Sequence, residues 1–294
     1  MADNDNVQLS VIIVAYKSND VFLQCINSIS KYNDIGERFE VIVVDNYPFG
    51  NEAFAHLGLE FSWMRTISSP ENKGFGHANN EGVKIARGEY ILFLNPDTEL
   101  VEPIFEYATD QFINNPKLAV FGMLLYDKDG RICSNSFNVM PEYVGFLPSN
   151  IWVPIFQYCH FTPRHIYPLG ADFFIRKRTF LDAGGFDENI FLSYEEPDLV
   201  RRIPSSYQVK IFNKKIIHLG GHAIDSLSIE RFITWFLYSE QYYFDKHGID
   251  YIRYARYALA RLRIKYIFKR IIGEVYNHAD MMFINHYRRI VTGR

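Results

Sequence analysis

Three short apolar, β-branched runs in the first hundred residues constrain this chain most. They are residues 9–16 (Leu-Ser-Val-Ile-Ile-Val-Ala-Tyr), 39–45 (Phe-Glu-Val-Ile-Val-Val-Asp) and 90–94 (Tyr-Ile-Leu-Phe-Leu). Uninterrupted runs of this length suit strands buried on both faces, the pattern of a parallel sheet. Helical patterns separate them. Val21, Phe22, Cys25, Ile26 and Ile29 share a helical spacing over 19–32, and residues 76–87 and 101–114 read the same way. A further strand is expected at 61–67. Strands alternating with helices imply a mostly parallel sheet with right-handed crossovers. Ligands of such sheets sit at the carboxyl ends of the strands. Here those ends are Ala15-Tyr16-Lys17, Asp45-Asn46 and Asn95-Pro96-Asp97, all polar and all able to face one crevice.

The second half is less regular. Strands are expected at 119–126 and 131–139, flanking the turn Asp127-Lys128-Asp129-Gly130. Residues 141–168 hold five of the twelve prolines and read as a long loop or lid. A strand at 169–176, a short helix at 177–183 and the turn Gly184-Gly185-Phe186-Asp187 follow. A helix at 195–203 ends at Pro204, and a strand at 209–218 leads to His218. From about 228 onward the pattern is helical.

With 48% hydrophobic and 22% charged residues, the 294-residue chain is too apolar for disorder and long enough for a sizeable core. Three cysteines, Cys25, Cys133 and Cys159, are too few for a disulfide framework, so a reducing, cytoplasmic setting is the expectation. No run of 18 apolar residues argues for a membrane-spanning helix, and the acidic first six residues do not read as a signal peptide.

Several groups at strand ends and turns have the chemistry of a site. A carboxylate held after a strand by a rigid proline, as in Asn95-Pro96-Asp97, suits a hard divalent cation; the plainer reading is a cap for a following helix. Asp45 suits a nucleotide base or ribose, or a turn. Asn72-Lys73-Gly74-Phe75-Gly76 before a helix offers backbone N–H groups to a phosphate, although such turns are common. Glu195-Glu196-Pro197-Asp198 packs three carboxylates behind an aromatic run. Crowded acids beside apolar walls take raised pKa values, as a general base needs; a solvated helix start is the alternative. His218, at a strand end, suits a metal or phosphate, or a structural role. His222 is a weaker candidate.

Taken in order, these blocks resemble the family 2 glycosyltransferases of the GT-A fold, over roughly residues 9–225. The blocks are Ser10–Tyr16, Val41–Asn46, Glu71–Asn80, Gly88–Asp97, Gly170–Arg176, Gly184–Asp187, Tyr194–Leu199 and His218. Asn-Lys-Gly-Phe-Gly and Leu-Asn-Pro-Asp are most similar to the rhamnosyltransferase-like branch that builds bacterial surface polysaccharides. The resemblance implies that Ala15 and Tyr16 line the base pocket, with Lys17 beside them, and that Asp45 bonds the base. It places Asn72, Lys73 and Gly74 along the nucleotide and its sugar. It makes Asn95-Pro96-Asp97 the counterpart of the DxD motif, with Asp97 binding Mg²⁺ or Mn²⁺ and His218 near the metal and diphosphate. The family's Glu-Asp pair falls on Glu195 and Glu196, so Glu196 takes the catalytic-base position. Lys17 stands where the family often has Asn, and Glu196 where it usually has Asp.

The resemblance thus implies an inverting, metal-dependent transfer of a sugar from a dTDP- or UDP-sugar to a hydroxyl of a saccharide or lipid-linked acceptor. A catalytically silent sugar-nucleotide-binding scaffold is the rival from another class. A nucleotidyltransferase fits less well, because Ala15–Asn19 lacks a glycine- and basic-rich phosphate loop. The expected division is a catalytic domain over 1–225 and a helical region over 226–294. Charge is distributed unevenly: residues 1–110 carry 7 basic and 17 acidic side chains, and residues 249–294 carry 10 and 3. Over 252–272, Ile252, Ala255, Leu259, Leu262 and Tyr266 fall on one helical face flanked by arginines and lysines. Trp235, Tyr238, Tyr242, Tyr243, Tyr251, Tyr254 and Tyr257 are nearby. Such a segment suits the periphery of an anionic membrane or a homodimer contact. Nucleic acid is a poor partner for so acidic an N-terminal half.

Overall fold

A computed structural model of the chain describes residues 6–17, 19–47, 60–133, 136–143, 161–220, 229–271 and 278–293. The chain divides into two compact units. One comprises Met1–Phe191 and Glu195–Ala223, the other Leu192–Tyr194 and Ile224–Arg294.

The first unit is built on a mixed eight-stranded sheet. Its strands are β1 (Leu9–Ala15), β2 (Phe39–Asp45), β3 (Met64–Ser68), β4 (Tyr90–Leu94), β5 (Thr98–Leu100), β6 (Leu118–Tyr126), β9 (Asp172–Arg176) and β10 (Gln208–His218). The spatial order is β3-β2-β1-β4-β9-β6-β10-β5, and β7 (Phe137–Val139) and β8 (Ile166–Pro168) form a separate ribbon. The helices are α1 (Asn19–Tyr32), α2 (Phe75–Ile85), α3 (Phe105–Asn114), α4 (Lys177–Asp182) and α5 (Glu195–Arg202).

Side chains alternate across a strand. In β1, Leu9, Val11, Ile13 and Ala15 join one apolar cluster, and Ile12 and Val14 join the other. Both clusters are buried, which is why β1 reads as a continuous apolar run. The turn Gly184–Asp187 serves the second cluster. Asn80 on α2 accepts from the Phe186 N–H and donates to its carbonyl, each at 2.9 Å. This sets the Phe186 ring 5.0 Å from Phe93 and 5.3 Å from Phe180.

β1, β2, β3 and β4 are parallel, as is the pair β6–β10. The sheet is less parallel than the alternation suggested. β9 runs antiparallel between β4 and β6, and β5 runs antiparallel on β10. Residues 98–100 are therefore strand, so Asp97 caps no helix. α3 begins at 105 rather than 101, where Asp34 Oδ1 accepts the Phe105 and Glu106 N–H groups at 3.1 Å. Of the strand expected over 131–139, β7 forms at 137–139. The 141–168 loop closes on β8, and its residues 144–160, Cys159 included, lie outside the described residues, as does His222.

At the amino ends of β1 and β2 sits a polar lock. Glu40, 1% exposed, accepts Ser10 Oγ at 2.7 Å, the Arg87 N–H at 2.6 Å, Arg65 Nη2 at 2.6 Å and Arg87 Nε at 2.9 Å. Burial pushes this carboxyl up, but those four donors outweigh it and hold it below the usual value.

The second unit is helical: α6 (Ile229–Lys246), α7 (Tyr251–Ile271) and α8 (His278–Thr292). Its core includes Ile233, Leu237, Tyr243, Phe244, Tyr251, Ala255, Leu259, Ile284 and Tyr287. Two sequence readings change here. Ile252 is 49% exposed, so it leaves the face on which Ala255 and Leu259 are buried. Tyr243 and Tyr251, grouped above with interfacial aromatics, are core residues, because Glu240 gives the hydroxyl of Tyr251 a buried partner. Among the described residues, no helix is long and apolar enough to cross a membrane.

Candidate active site

The carboxyl ends of β1, β2 and β4 lie side by side on one edge of the sheet. β1 and β2 pair in register through Ala15 and Asp45, and the Asn46 N–H donates to the Ala15 carbonyl at 2.9 Å. Beyond this edge Tyr16 and Tyr47 meet edge-on at 5.7 Å. Lys17, in the left-handed region at φ 54°, holds Nζ 5.7 Å and 5.3 Å from their two rings. Asp45 Oδ1 accepts the Tyr47 N–H at 3.1 Å. Two aromatic rings, a cation and a buried carboxylate thus gather where a planar heterocycle can stack and hydrogen-bond.

Asn46 is a residue whose part the sequence reading missed. Its Nδ2 donates to Asn72 Oδ1 at 2.9 Å, and that same oxygen accepts the Gly74 N–H at 3.0 Å. The pair ties β2 to the 72–74 turn. A short polar residue directly after a buried strand was the signal available. Gly74 is required there: its φ is +104°, and an added Cβ would overlap the Phe191 backbone. Lys73 points outward, 51% exposed and paired with Glu71 at 2.8 Å, which raises its pKa.

Past β4, Asn95-Pro96-Asp97-Thr98 forms a turn, with Thr98 Oγ1 donating to the Asn95 carbonyl at 2.7 Å. Proline suits the second position of such turns. Asp97 is buried, and its carbonyl accepts the Leu219 N–H at 2.9 Å. The β5–β10 pairing matches Thr98 with His218, which sets His218 Nε2 3.4 Å from Asp97 Oδ1. Two residues 121 positions apart thus present one oxygen and one nitrogen donor. Among the described residues, no group of three or more His, Cys, Asp or Glu side chains is arranged to hold a metal. A pair of this kind could hold an ion that takes its other ligands from substrate oxygens, as Mg²⁺ does on phosphates.

The carboxylates at the start of α5 reach the same edge through β9. Glu196 Oε1 accepts the Gly170 N–H at 2.8 Å, and the Ala171 carbonyl accepts the Asn95 N–H at 3.1 Å. Gly170 leaves no room for more: a Cβ there would lie 2.7 Å from Glu196 Oε1. Glu195 and Glu196 are both buried, and Glu195 Oε2 has no hydrogen-bond partner. Burial raises both pKa values, that of Glu195 strongly, and the Glu196 charge pushes it further. Asp198 is otherwise engaged, with Oδ2 held by Arg202 Nη2 at 2.9 Å and Nε at 3.1 Å. On β9 itself, Asp172 is fully buried, accepts the Met123 N–H, and has a pKa pushed well up by burial.

The chain's sequence matches the model of glycosyl transferase family 2 over residues 10–161. It belongs to glycosyl transferase family 2. This family 2 chain is 26% identical over 180 residues to the O-antigen biosynthesis protein RfbC of Myxococcus xanthus, covering 56% of the chain and 14% of that protein. It is 22% identical over 183 residues to the N-acetylglucosaminyl-diphospho-decaprenol L-rhamnosyltransferase of Mycobacterium tuberculosis, covering 58% of each. The matches thus span well under two thirds of either relative. Among solved structures, S. aureus TarS 1–349 in complex with UDP-GlcNAc superposes with TM-score 0.53 at 17% identity, over 98% of this chain and 71% of that one. The mannosyltransferase PcManGT of Pyrobaculum calidifontis, with GDP-Man and Mn²⁺, does so with TM-score 0.57 at 12% identity, over 96% and 69%. These likenesses show the GT-A fold for the chain.

Proposed function

We propose that this transferase moves a sugar, with rhamnose the first candidate, from a nucleoside-diphosphate donor to a hydroxyl of a saccharide or lipid-linked acceptor, inverting the anomeric centre. One observation carries the reading. The hydrogen bonds Glu196–Gly170 and Ala171–Asn95 bring a buried carboxylate pair to the strand edge bearing Asp97, which His218 approaches.

In this reading the base rests by Tyr16, Tyr47 and Asp45, and the diphosphate lies toward Asn72–Gly74 and Asp97. Asp97 and His218 hold Mg²⁺ or Mn²⁺. When bound, the ion supplies positive charge against the leaving diphosphate. Glu196 takes the acceptor proton as the acceptor oxygen bonds to C1, and the C1–O bond to the diphosphate breaks on the opposite face. Its raised pKa makes it a stronger base than an exposed carboxylate. Beside it, burial and the Glu196 charge hold the Glu195 pKa well up, and Glu195 Oε2 has no hydrogen-bond partner. The M. tuberculosis relative's name, with its diphospho-decaprenol acceptor, and the origin of the M. xanthus relative in O-antigen biosynthesis support a role in bacterial surface polysaccharide assembly. The exposed Ile264, Ile267, Phe268 and Ile271 of α7, with Arg263 and Arg270 among them, support contact with an anionic membrane surface.

The test is donor binding and turnover across UDP-, dTDP- and GDP-sugars, with Mg²⁺, Mn²⁺ or EDTA. The expected result is metal-dependent hydrolysis or transfer of one donor, lost in Asp97→Ala and reduced at least 10³-fold in Glu196→Gln. Binding indifferent to metal and to Asp97 overturns the metal assignment. Donor binding without turnover, unaltered by Glu196→Gln, replaces the enzyme mechanism with the scaffold reading.

A further inference from the structure

The carboxylate of Glu240, in the middle of α6, is 0% exposed and takes no part in the site just described. Four tyrosine hydroxyls converge on it. Oε1 accepts from Tyr194 at 2.7 Å, Tyr254 at 2.9 Å and Tyr287 at 3.2 Å, and Oε2 accepts from Tyr251 at 2.9 Å. Tyr251 also meets His286 Nε2 at 2.8 Å. A buried acid this fully supplied with donors is a strongly specified point in a fold.

Tyr194 differs from the other three. All four belong to one unit, but Tyr251, Tyr254 and Tyr287 lie on its helices, whereas Tyr194 lies in its three-residue segment Leu192–Tyr194, far away in sequence. That segment is held twice by neighbouring residues of α6. Ser239 Oγ, fully buried, donates to the Leu192 carbonyl at 3.0 Å, and Glu240 takes the Tyr194 hydroxyl. The Tyr194 ring is fixed as well, 5.3 Å from Phe236 and 5.5 Å from Tyr243. Between these anchors the backbone is strained, since Ser193 and Tyr194 have φ of 64° and 72°. Left-handed conformations are rare for a bulky residue and persist where the surroundings over-determine them. The next peptide bond leads to Glu195 and Glu196. On the other side, the Phe191 carbonyl accepts the Phe75 N–H at 2.9 Å.

We propose that Glu240 is a positioning residue for the transfer reaction. By holding the Tyr194 hydroxyl it keeps the strained pair Ser193–Tyr194 in place, and so fixes where the chain enters the first turn of α5 and where the Glu196 carboxylate stands. The inference rests on the reading of Glu196 as the base. A role confined to stabilising the helical unit would treat all four hydroxyls alike; a positioning role singles out Tyr194.

The experiment compares Tyr194→Phe with Tyr287→Phe. Each removes one donor from the same oxygen and keeps its ring. Tyr194→Phe is expected to lower kcat for the preferred donor about tenfold, with donor KM and UDP or dTDP binding within twofold of wild type. Tyr287→Phe is expected to keep kcat within twofold while lowering the melting temperature by a similar amount. Amide hydrogen exchange over 191–198, read on the free protein, is expected to quicken about tenfold in Tyr194→Phe alone. Glu240→Gln, which keeps an acceptor oxygen, provides the milder variant should a tyrosine change fail to fold, and is expected to fall between the two. Equal kcat losses in both tyrosine variants overturn the proposal, as does unchanged exchange over 191–198 in Tyr194→Phe, whatever the kinetics. Glu196→Gln, run alongside, separates the two readings. Full turnover in that variant removes the base assignment; its loss with an unaffected Tyr194→Phe removes only the positioning role.

Discussion

Replacing Gly170 by alanine inserts a methyl group beside the proposed base. The Cβ would stand 2.7 Å from Glu196 Oε1 and 3.3 Å from Phe75 Cε1, where ordinary contact begins at about 3.4 Å. The Phe75 ring is near enough to ordinary contact to yield slightly. The carboxylate oxygen must retreat by about 0.7 Å, stretching its 2.8 Å bond to the Gly170 N–H. A displacement of 1 Å costs roughly 10²-fold in rate, so about 0.7 Å predicts a kcat reduced some ten- to thirtyfold. The stability cost is small, because the group that moves is the end of a flexible side chain. About 1 kcal/mol corresponds to a melting temperature lowered by roughly 2–4 °C in a unit of this size. Steady-state kinetics with saturating donor, paired with a thermal melt, read both quantities. A kcat within twofold of wild type in a folded Gly170→Ala variant refutes the placement of the base. A loss confined to donor KM refutes it too and assigns Gly170 to the donor.

Glu40→Gln is expected to destabilise the sheet unit by about 2 kcal/mol. A broken buried ion pair costs about 3–5 kcal/mol, discounted because Arg65 and Arg87 are 42% and 39% exposed and regain water. The Glu40 pKa is held down in the fold, so its contribution is present above its usual value of 4.5 and lost as pH falls through the lowered one; melts from pH 7 to 3 should show wild type and variant converging in acid. Gly74→Ala, which puts a side chain at φ +104° against the Phe191 backbone, is expected to cost about 3 kcal/mol or more and to weaken donor binding, as calorimetry with UDP or dTDP would register. Burial pushes the Cys25 thiol up to about 12, so iodoacetamide at pH 8 should label it only after unfolding; rapid labelling of the native protein contradicts its place in the core.

β1, β2 and β4 were legible because each is a continuous apolar run. Burial on both faces leaves that mark in a sequence whichever neighbours the strand acquires. The direction of β9 leaves no such mark. The centre of β9, Phe173–Ile175, is as apolar as β4, and nothing within it says that it inserts antiparallel between β4 and β6. β5, with three residues, owes its existence to β10, which is more than a hundred positions away. In the site, Asp97, His218 and Glu196 were visible as polar groups at the ends of apolar runs. Asn46 was hidden because its work is a bond to Asn72, a pairing with no periodicity to reveal it. Glu240 was hidden more deeply. An acid among the aromatic residues of α6 looks like a solvated position until four distant tyrosines turn out to share it.

The antiparallel insertion of β9 also sets a timetable. The parallel group β3-β2-β1-β4 is contained within residues 9–94, and a ribosome delivers it early. β4 then presents an open hydrogen-bonding edge until residues 172–176 emerge. β6 is made in between and has no seat beside β4, since β9 lies between them. For about eighty residues of synthesis the nascent chain carries an apolar strand with one unpaired side, the kind of edge that recruits other chains. Insertion of β9, with Gly170 and Ala171 just ahead of it, is thus the event that seals this edge and prepares the seat that the later Glu196 takes. A chain stalled before that point has the donor-side strand ends but neither the carboxylate pair nor a closed sheet.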